Sequence, residues 1–196
     1  MELLVQSDER ALVWLNSWAG HFPWLDSIVK WVVSDYLVPV TLSLILLGLW
    51  FHGSTPGARE RNQRGVMTAV VALVLANLTV ELMNHFIYRP RPFETLDLSL
   101  LFYRPTDSSF PANPAAVGFA VSVAVGFWNR KIGVALLAVA AIFSLARVYA
   151  GVFYPLDILG GAAVGATGSL LGALLLRWME PLPSLALKLA RSVYLA

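Results

Sequence analysis

Two arginines and an asparagine, spread over three short segments, are the side chains of this sequence best suited to binding a charged group. The segments are residues 88–93 (Tyr-Arg-Pro-Arg-Pro-Phe), 109–114 (Ser-Phe-Pro-Ala-Asn-Pro) and 146–157 (Ala-Arg-Val-Tyr-Ala-Gly-Val-Phe-Tyr-Pro-Leu-Asp). Arg91 and Arg147 stay charged, and a planar guanidinium contacts a phosphate at two points. Asn113 would add a neutral donor. These residue types indicate a site for an anion, and a phosphate fits them well.

The composition is that of a membrane protein. The chain has 196 residues, 58% of them hydrophobic and 13% charged, and its mean hydropathy is +0.68. Such a chain is too apolar for an ordinary soluble domain. An apolar stretch of roughly 20 residues spans a hydrocarbon core. The predicted spans are residues 36–52, 66–88, 111–128, 132–151 and 156–176.

We therefore expect an all-α fold, a polytopic membrane bundle of five to six transmembrane helices, and a single domain over residues 1–196. Residues 24–34 would extend the first span or form the sixth helix. Amphipathic helices are predicted at the two ends of the chain, over residues 7–20 and 184–195, lying in the membrane interface. Ser7 is the predicted N-cap of the first.

Basic residues predict the orientation of the bundle. The 53–65 loop, the 129–131 turn and the tail after residue 176 are basic, and short basic segments tend to stay cytoplasmic. Five spans place all three on that side. Four side chains of the anion-binding segments then meet at one membrane level on the extracytoplasmic face: Arg91, Asn113, Arg147 and Asp157.

Charged side chains near or within the membrane are expected to have partners of opposite charge. Arg89 and Arg104 fall on the outer side, against the basic-inside trend, which indicates an anion there; contact with lipid head groups is the alternative. Glu81 is the only acid in residues 66–88. It shares one helix face with Asn77, Asn84 and Tyr88. We interpret this polar stripe as a buried packing stripe or as a ligand path. Its candidate partners are Arg147, Lys30 and Arg91.

Several function classes are excluded. The formal net charge of +2 is small and scattered, which argues against nucleic acid as a partner. The absence of cysteine excludes disulfides, thiolate metal sites and thiol catalysis. No cluster of metal ligands is evident, so we expect neither a metal nor another cofactor.

The three segments, taken together, resemble the signature motifs of the membrane branch of the type-2 phosphatidic acid phosphatase and vanadium haloperoxidase superfamily. The chain is most similar to the bacterial undecaprenyl-pyrophosphate phosphatases. The resemblance implies a multi-pass protein of the bacterial inner membrane that handles lipid phosphates. It also implies phosphate-binding roles for Arg91, Arg147 and Asn113, with Asn84 at the position of the first motif's lysine. Asp157 matches the aspartate that orients the nucleophilic histidine.

Both catalytic histidines of that family are absent. Phe153 stands where the nucleophile is expected, and Pro114 stands where the leaving-group acid is expected. Phenylalanine has no lone pair to attack phosphorus, and proline has neither a titratable group nor a backbone N–H. Because nucleophile and acid act as a unit, their loss should cost several orders of magnitude in rate. Asp157, with no imidazole to orient, is expected to pair with Arg147 or another cation.

The sequence thus favours a catalytically degenerate, lipid-phosphate phosphatase-like membrane protein that keeps an outer-face pocket for a polyprenyl or glycerolipid phosphate. Two alternatives stay open. In the first, the chain is a non-catalytic accessory subunit bound to membrane protein partners, which the small residues at 160–168 favour. Or it is an active undecaprenyl-pyrophosphate or lipid phosphatase in which His85 or a metal-activated water replaces the usual pair.

Overall fold

The fold is entirely helical in the part of the chain that the structure, a computed structural model, describes, residues 2–192. The helices are α1 (Glu2–Asn16), α2 (Pro23–Val32), α3 (Leu37–Phe51), α4 (Pro56–Phe86), α5 (Pro92–Thr95), α6 (Asn113–Trp128), α7 (Arg130–Tyr149), α8 (Pro155–Trp178) and α9 (Leu182–Ser192). The predicted all-α class is confirmed.

Local sequence explains where the long helices begin. Proline occupies the first turn of α4, α6 and α8, where its missing N–H costs nothing and its fixed φ suits a helix. Thr55 caps α4 by accepting a hydrogen bond from the N–H of Ala58 (3.2 Å). Asn129 ends α6 and caps α7 through the N–H of Ile132 (3.4 Å).

Small residues at the centre of the bundle let α8 approach α6 closely. A Cβ added to Gly165 would lie 2.4 Å from the carbonyl oxygen of Ala116, and one added to Gly161 would lie 2.3 Å from that of Ala112. Farther along α8, Gly168 faces α4 in the same way. Close backbone approach over small residues is typical of helix packing in membranes. As a result α6 is enclosed by α4, α7 and α8.

Five helices run between the two ends of the bundle, as predicted, but they differ in how well they suit a membrane. By length and apolarity, α4, α7 and α8 qualify as spans, and α2 with α3 adds a fourth only if this pair, bent by 53°, is counted as one. The apolar α6 has 16 residues, or about 24 Å at 1.5 Å per residue, against about 30 Å of hydrocarbon. The prediction of five to six full spans therefore exceeds the three to four candidates. Residues 24–34 do not extend the first span in a straight line.

The two ends of the bundle have different chemistry. We call one the motif end, where α4 and α7 finish and α6 and α8 begin, and the other the basic end, where α4 and α7 begin. Asn129 donates to the side chain of Asn62 (3.2 Å) across the basic end, and Arg64 reaches Glu180 there (2.5 Å). The three predicted anion-binding segments all lie at the motif end.

The N-terminal helix is part of the packed structure, which corrects the prediction for residues 7–20. Ser7 is not its N-cap, because α1 begins before it and the Ser7 hydroxyl donates to the carbonyl of Leu3 (2.7 Å) within the helix. Leu12 is fully buried. Asp8, also buried, accepts hydrogen bonds from Arg89 (2.7 Å) and from the N–H of Leu156 (2.8 Å). These contacts hold α1 on the motif end.

The C-terminal amphipathic helix predicted over residues 184–195 is helical over Leu182–Ser192, and 193–195 lie outside the described residues. The expectation for Glu81 is corrected by the packing. Glu81 forms no ion pair within residues 2–192, because α4 turns it to the outer surface of the bundle while its candidate partners Arg91 and Arg147 pair elsewhere. Only Asn84 of its polar stripe reaches the cavity described below.

We predict that Gly165→Ala destabilises the bundle, because the new methyl group would meet backbone atoms of α6 that cannot move aside as a side chain does. Overpacking of this kind costs about 1–3 kcal/mol. Thermal unfolding in detergent measures the loss. Gly48→Ala in α3 is the matched control, since a Cβ there meets nothing within 4 Å. Equal unfolding temperatures for the two variants would contradict the packing account.

Candidate functional site

The motif end is covered by residues 87–112, which connect α4 to α6. Hydrogen bonds hold this connection down. The N–H of Ser109 donates to the carbonyl of Arg89 (3.0 Å), and the N–H of Ala112 donates to that of Asp157 (3.0 Å). The Ser108 hydroxyl bonds the backbone at Ile87 and Phe110. The connection therefore brings the first two motif segments onto the third.

A cavity of about 190 Å³ lies beneath this cover. Six residues singled out from the sequence line it: Asn84, Arg91, Asn113, Pro114, Arg147 and Phe153. Residues of the covering connection and the α2–α3 turn complete the lining: Asp35, Tyr103, Pro105, Asp107, Ser108 and Pro111. The expected convergence of the three segments is thus met by the geometry.

Arg147, in the last turn of α7, is one of the two buried cations of the cavity. It is 4% exposed, and its Nη2 donates to Asp35 (3.0 Å). Its guanidinium also lies over the rings of Phe102 (4.6 Å) and Phe143 (5.0 Å). Its Nε is buried and has no hydrogen-bond partner within the described residues. Since a buried donor without a partner is costly, this atom is available to a ligand.

Arg91 is held more completely. Its Nε and Nη2 donate to the carbonyl (3.0 Å) and the carboxylate (2.9 Å) of Asp107, and its Nη1 donates to the carbonyl of Val152 (3.2 Å). The guanidinium also stacks over the ring of Phe153, with 4.4 Å from Cζ to the ring centroid. Phe153 therefore presents an aromatic face to a cation, a favourable contact, and offers no atom for nucleophilic attack.

Neutral groups complete the cavity. Asn113 and Pro114 form the first turn of α6, so the positive end of that helix dipole lies at the cavity. The side-chain Oδ1 of Asn84 is buried without a hydrogen-bond partner in residues 2–192. Two unpartnered polar atoms, this one and Arg147 Nε, thus belong to residues that line the same cavity.

Asp157 lies outside the cavity lining, and it pairs with a cation as expected. It is fully buried, and of the expected partners, Arg147 or another cation, it pairs with Arg89 (2.5 Å). Its other oxygen accepts the N–H of Tyr154 (2.9 Å) and caps α8. Arg147 pairs with Asp35 instead. The anions that Arg89 faces are therefore carboxylates of the protein, Asp8 and Asp157.

The pKa values of Arg89 and of the neighbouring Tyr154 follow from the contacts of these side chains. Burial opposes the charge on Arg89, but the hydrogen bond to Asp8 and the attraction of Asp157 outweigh it and raise the pKa of Arg89. The guanidinium also lies 4.0 Å above the ring of Tyr154. Burial raises the pKa of the Tyr154 hydroxyl, which bonds Thr95 (3.1 Å). Asp8, Arg89 and Asp157 therefore form a charged, structural triad beside the cavity.

Sequence reasoning missed the acids. Asp8, Asp35 and Asp107 each supply a carboxylate to an arginine of the motif end. They come from segments far apart in the chain, and no spacing pattern connects them to the motifs. His85, the candidate replacement for a catalytic histidine, does not line the cavity; its ring meets that of Phe86 at the surface.

An apolar cavity of about 150 Å³ adjoins the first. The two share Asp35, Asn113, Pro114 and Arg147 in their linings. The rest of the second cavity is formed by α3, α6 and α7: Val38, Pro39, Leu42, Val117, Gly118 and Phe143. A polar chamber thus opens beside an apolar slot between helices, an arrangement suited to an amphiphile.

Similar proteins are known in sequence. Undecaprenyl-diphosphatase BcrC of Bacillus subtilis strain 168 is 31% identical over 150 residues, which cover 76% of this chain and 74% of that protein. The putative undecaprenyl-diphosphatase YbjG of Escherichia coli K12 is 30% identical over 158 residues, covering 80% and 76%.

Similar proteins are also known in structure. The crystal structure of LpxE from Aquifex aeolicus matches with a TM-score of 0.65 at 25% identity, covering 83% of this chain and 92% of that one. A transmembrane PAP2-type phosphatidylglycerolphosphate phosphatase from Bacillus subtilis matches with a TM-score of 0.66 at 17% identity, covering 92% and 90%, and shares the fold.

The model of the PAP2 superfamily matches residues 65–181 of the chain. This range contains all three motif segments and the helices α6, α7 and α8 that present them. More than half of the chain is matched, and a structural relative that shares the fold is titled a transmembrane PAP2 type phosphatase. The protein is therefore an integral membrane member of the PAP2 superfamily.

Proposed function

We propose that this protein binds the phosphate or diphosphate head group of a lipid at its motif end and does not hydrolyse it. The observation that carries the proposal is the composition of the motif-end cavity. Arg91 and Arg147 line it, as phosphate binding requires. Phe153 and Pro114 also line it, at the positions where the motif resemblance leads us to expect reacting histidines. No histidine lines the cavity. The protein would thus be a pseudoenzyme with a ligand site.

The lipid is a polyprenyl diphosphate in this proposal. Two lines of support converge on that class. The relatives BcrC and YbjG are named as undecaprenyl-diphosphatase and putative undecaprenyl-diphosphatase. The apolar slot beside the cavity, lined by α3, α6 and α7, offers a path for a hydrocarbon chain leaving the head group. A glycerolipid phosphate would use the same contacts and is the competing ligand.

Two carboxylates regulate access to the arginines in this proposal. Asp35 and Asp107 have half-exposed or largely exposed side chains, whereas those of their partners Arg147 and Arg91 are only 5% and 3% exposed. Each acid lies on a connection between helices and not on a packed helix. A phosphate entering the cavity would take the place of these carboxylates as the counter-ion, so the acids hold the empty site neutral.

The orientation of the protein in the membrane follows from its basic residues. The basic end faces the cytoplasm of a bacterial cell and the motif end faces the extracytoplasmic side of the inner membrane. The cavity would then meet polyprenyl diphosphates in the outer leaflet of that membrane.

We expect the native protein to release no phosphate from undecaprenyl diphosphate above a no-protein blank, because the cavity holds no nucleophile–acid pair. The Pro114→His, Phe153→His double variant should gain turnover, since both new imidazoles would face the bound phosphate. A triple variant that adds Arg147→Ala is the control and should be inactive. Phosphate release by the native protein, at rates comparable to the double variant, would sink the proposal.

Binding is expected even without turnover. Farnesyl diphosphate titrated into detergent-solubilised protein by calorimetry should bind, and Arg91→Ala with Arg147→Ala should weaken the affinity at least about tenfold, because charge-assisted contacts are lost. Asp35→Asn should strengthen binding, since it frees Arg147. Arg104→Ala is the matched control, an exposed arginine at the same end that does not line the cavity. Unchanged affinity in the double alanine variant would refute a phosphate site.

One observation favours a second role as a subunit of a membrane complex. Glu81 and Asn77 lie on the outer surface of α4, and Glu81 has no ion pair in the described residues. A carboxylate facing hydrocarbon is costly, and a polar group on a neighbouring membrane protein would offset that cost.

Site-specific photo-crosslinking in membranes tests this second role. A photoreactive residue at position 81 should give a discrete protein adduct, because the polar stripe would lie in the interface. The same residue at position 70, also on the outer surface of α4, should give lipid adducts alone. Lipid adducts at both positions would rule out a protein partner on this face.

A further inference from the structure

A separate cavity of about 310 Å³ lies at the basic end, on the opposite side of the bundle from the motifs. It falls within the size range of small-molecule sites. Helices α4, α6 and α8 form its walls, and Glu180 and Pro183 close it from the segment leading into α9. Most of its lining is apolar: Met67, Phe127, Trp128, Leu170, Ala173, Leu174 and Leu176.

The apolar side of this cavity opens on the outer surface of the bundle. Leu170 and Leu174 are 53% exposed and Phe127 is 51% exposed. They belong to the C-terminal halves of α8 and α6, and such an exposed apolar surface on a membrane protein favours contact with hydrocarbon. Trp128, at the same level, directs its ring N–H to Thr68 (3.1 Å), and tryptophan is typical of the membrane interface. A hydrocarbon chain can therefore enter the cavity from the membrane.

Two arginines lie on the polar side of the cavity, one already bound to acids of the protein and one without such a partner. Arg64 is occupied: it pairs with Glu180 (2.5 Å) and Glu60 (3.3 Å), donates to Ser184 (2.8 Å), and lies 5.8 Å from the Trp128 ring centroid. Arg177 also lines the cavity. Within residues 2–192 it forms no ion pair and no side-chain hydrogen bond, so its charge is available to a ligand.

The surroundings favour an anion as that ligand. Residues 53–65, 129–131 and 177–192 of the basic end carry two acids, Glu60 and Glu180, and both are engaged by arginines. The basic residues of these segments are Arg59, Arg61, Arg64, Arg130, Lys131, Arg177, Lys188 and Arg191. Such an excess attracts anionic lipid head groups at the membrane surface.

We propose that the basic-end cavity binds one anionic glycerophospholipid of the surrounding membrane, with an acyl chain between α4, α6 and α8 and its phosphate at Arg177. The open apolar wall identifies the occupant as a molecule that arrives through the membrane. The single free guanidinium beside it matches one phosphate. Because Pro183 contributes to the lining, the bound lipid also contacts the start of α9.

This inference does not depend on the proposed function. The cavity shares no lining residue with the motif-end cavity. Binding of a membrane phospholipid here and of a polyprenyl diphosphate there are therefore separate measurements, and either can fail alone.

Native mass spectrometry of the purified full-length protein tests the site, with phosphatidylglycerol and phosphatidylcholine added in turn as probes. The unchanged protein should retain one phosphatidylglycerol in preference to phosphatidylcholine of the same acyl chains. Arg177→Ala should lower phosphatidylglycerol binding about fivefold, the effect of one basic residue near a membrane surface. Arg61→Ala, which removes the same charge from the same end outside the cavity, should change it less than twofold.

A second variant tests the apolar part of the basic-end cavity without altering charge. Leu174→Trp fills the cavity and should reduce binding of phosphatidylglycerol, whereas Leu78→Trp on the outer surface of α4 should not. Unfolding temperature and elution volume confirm that each variant is folded. Equal losses in Arg177→Ala and Arg61→Ala would show diffuse surface attraction and overturn the site. Equal retention of phosphatidylcholine, or full binding by Leu174→Trp, would overturn it as well.

Discussion

The motif end depends on one constraint. Its guanidinium groups lie at the end of an apolar bundle, so their charges must be neutralised. Arg89, Arg91 and Arg147 all lie where hydrocarbon-spanning helices meet their connections, and Arg91 and Arg147 are almost fully buried. An unpaired charge in such a place is expensive. Each arginine therefore takes a carboxylate, and for Arg89 and Arg147 it comes from a distant segment. Those pairs draw α1 and the α2–α3 turn onto the ends of the core helices, while Arg91 ties residues 87–112 to the carbonyl of Val152.

The three arginines are not held in the same way, and the difference matters for the proposed function. Arg89 is held by two fully buried side-chain carboxylates, Asp8 and Asp157, so that group has no room for exchange. The carboxylates on Arg91 and Arg147 are much more exposed than the arginines they hold. A diphosphate is a better match for two guanidinium groups than two separate carboxylates are. The same residues can thus be structural in the empty protein and ligand-binding in the loaded one.

The core of the bundle makes both ends possible. Gly161 and Gly165 let α8 lie directly on α6, and the N-termini of both helices lie at the motif end. The same close contact loosens toward the basic end, where the larger side chains of Leu170 and Leu174 leave a gap against Trp128. One helix pair therefore closes the bundle tightly near the motifs and leaves it open to lipid at the other end.

The contacts of Phe153 show what this side chain does in the cavity. In the structure this residue lines the cavity and stacks under Arg91, so it contributes a cation–π contact in a place where an imidazole would titrate. Asp157 forms the ion pair with Arg89 and caps α8. Both residues thus have structural contacts at the motif end.

The sequence by itself determined the helical class, the membrane location and the convergence of Arg91, Asn113 and Arg147, because hydropathy and span length are local properties that fix which helix ends share a membrane level. The tertiary structure decided which acid meets which arginine, that Glu81 points outward, and that α1 packs on the motif end. Those outcomes depend on the paths of the connections and the rotation of α4, which long-range packing sets and no local spacing encodes.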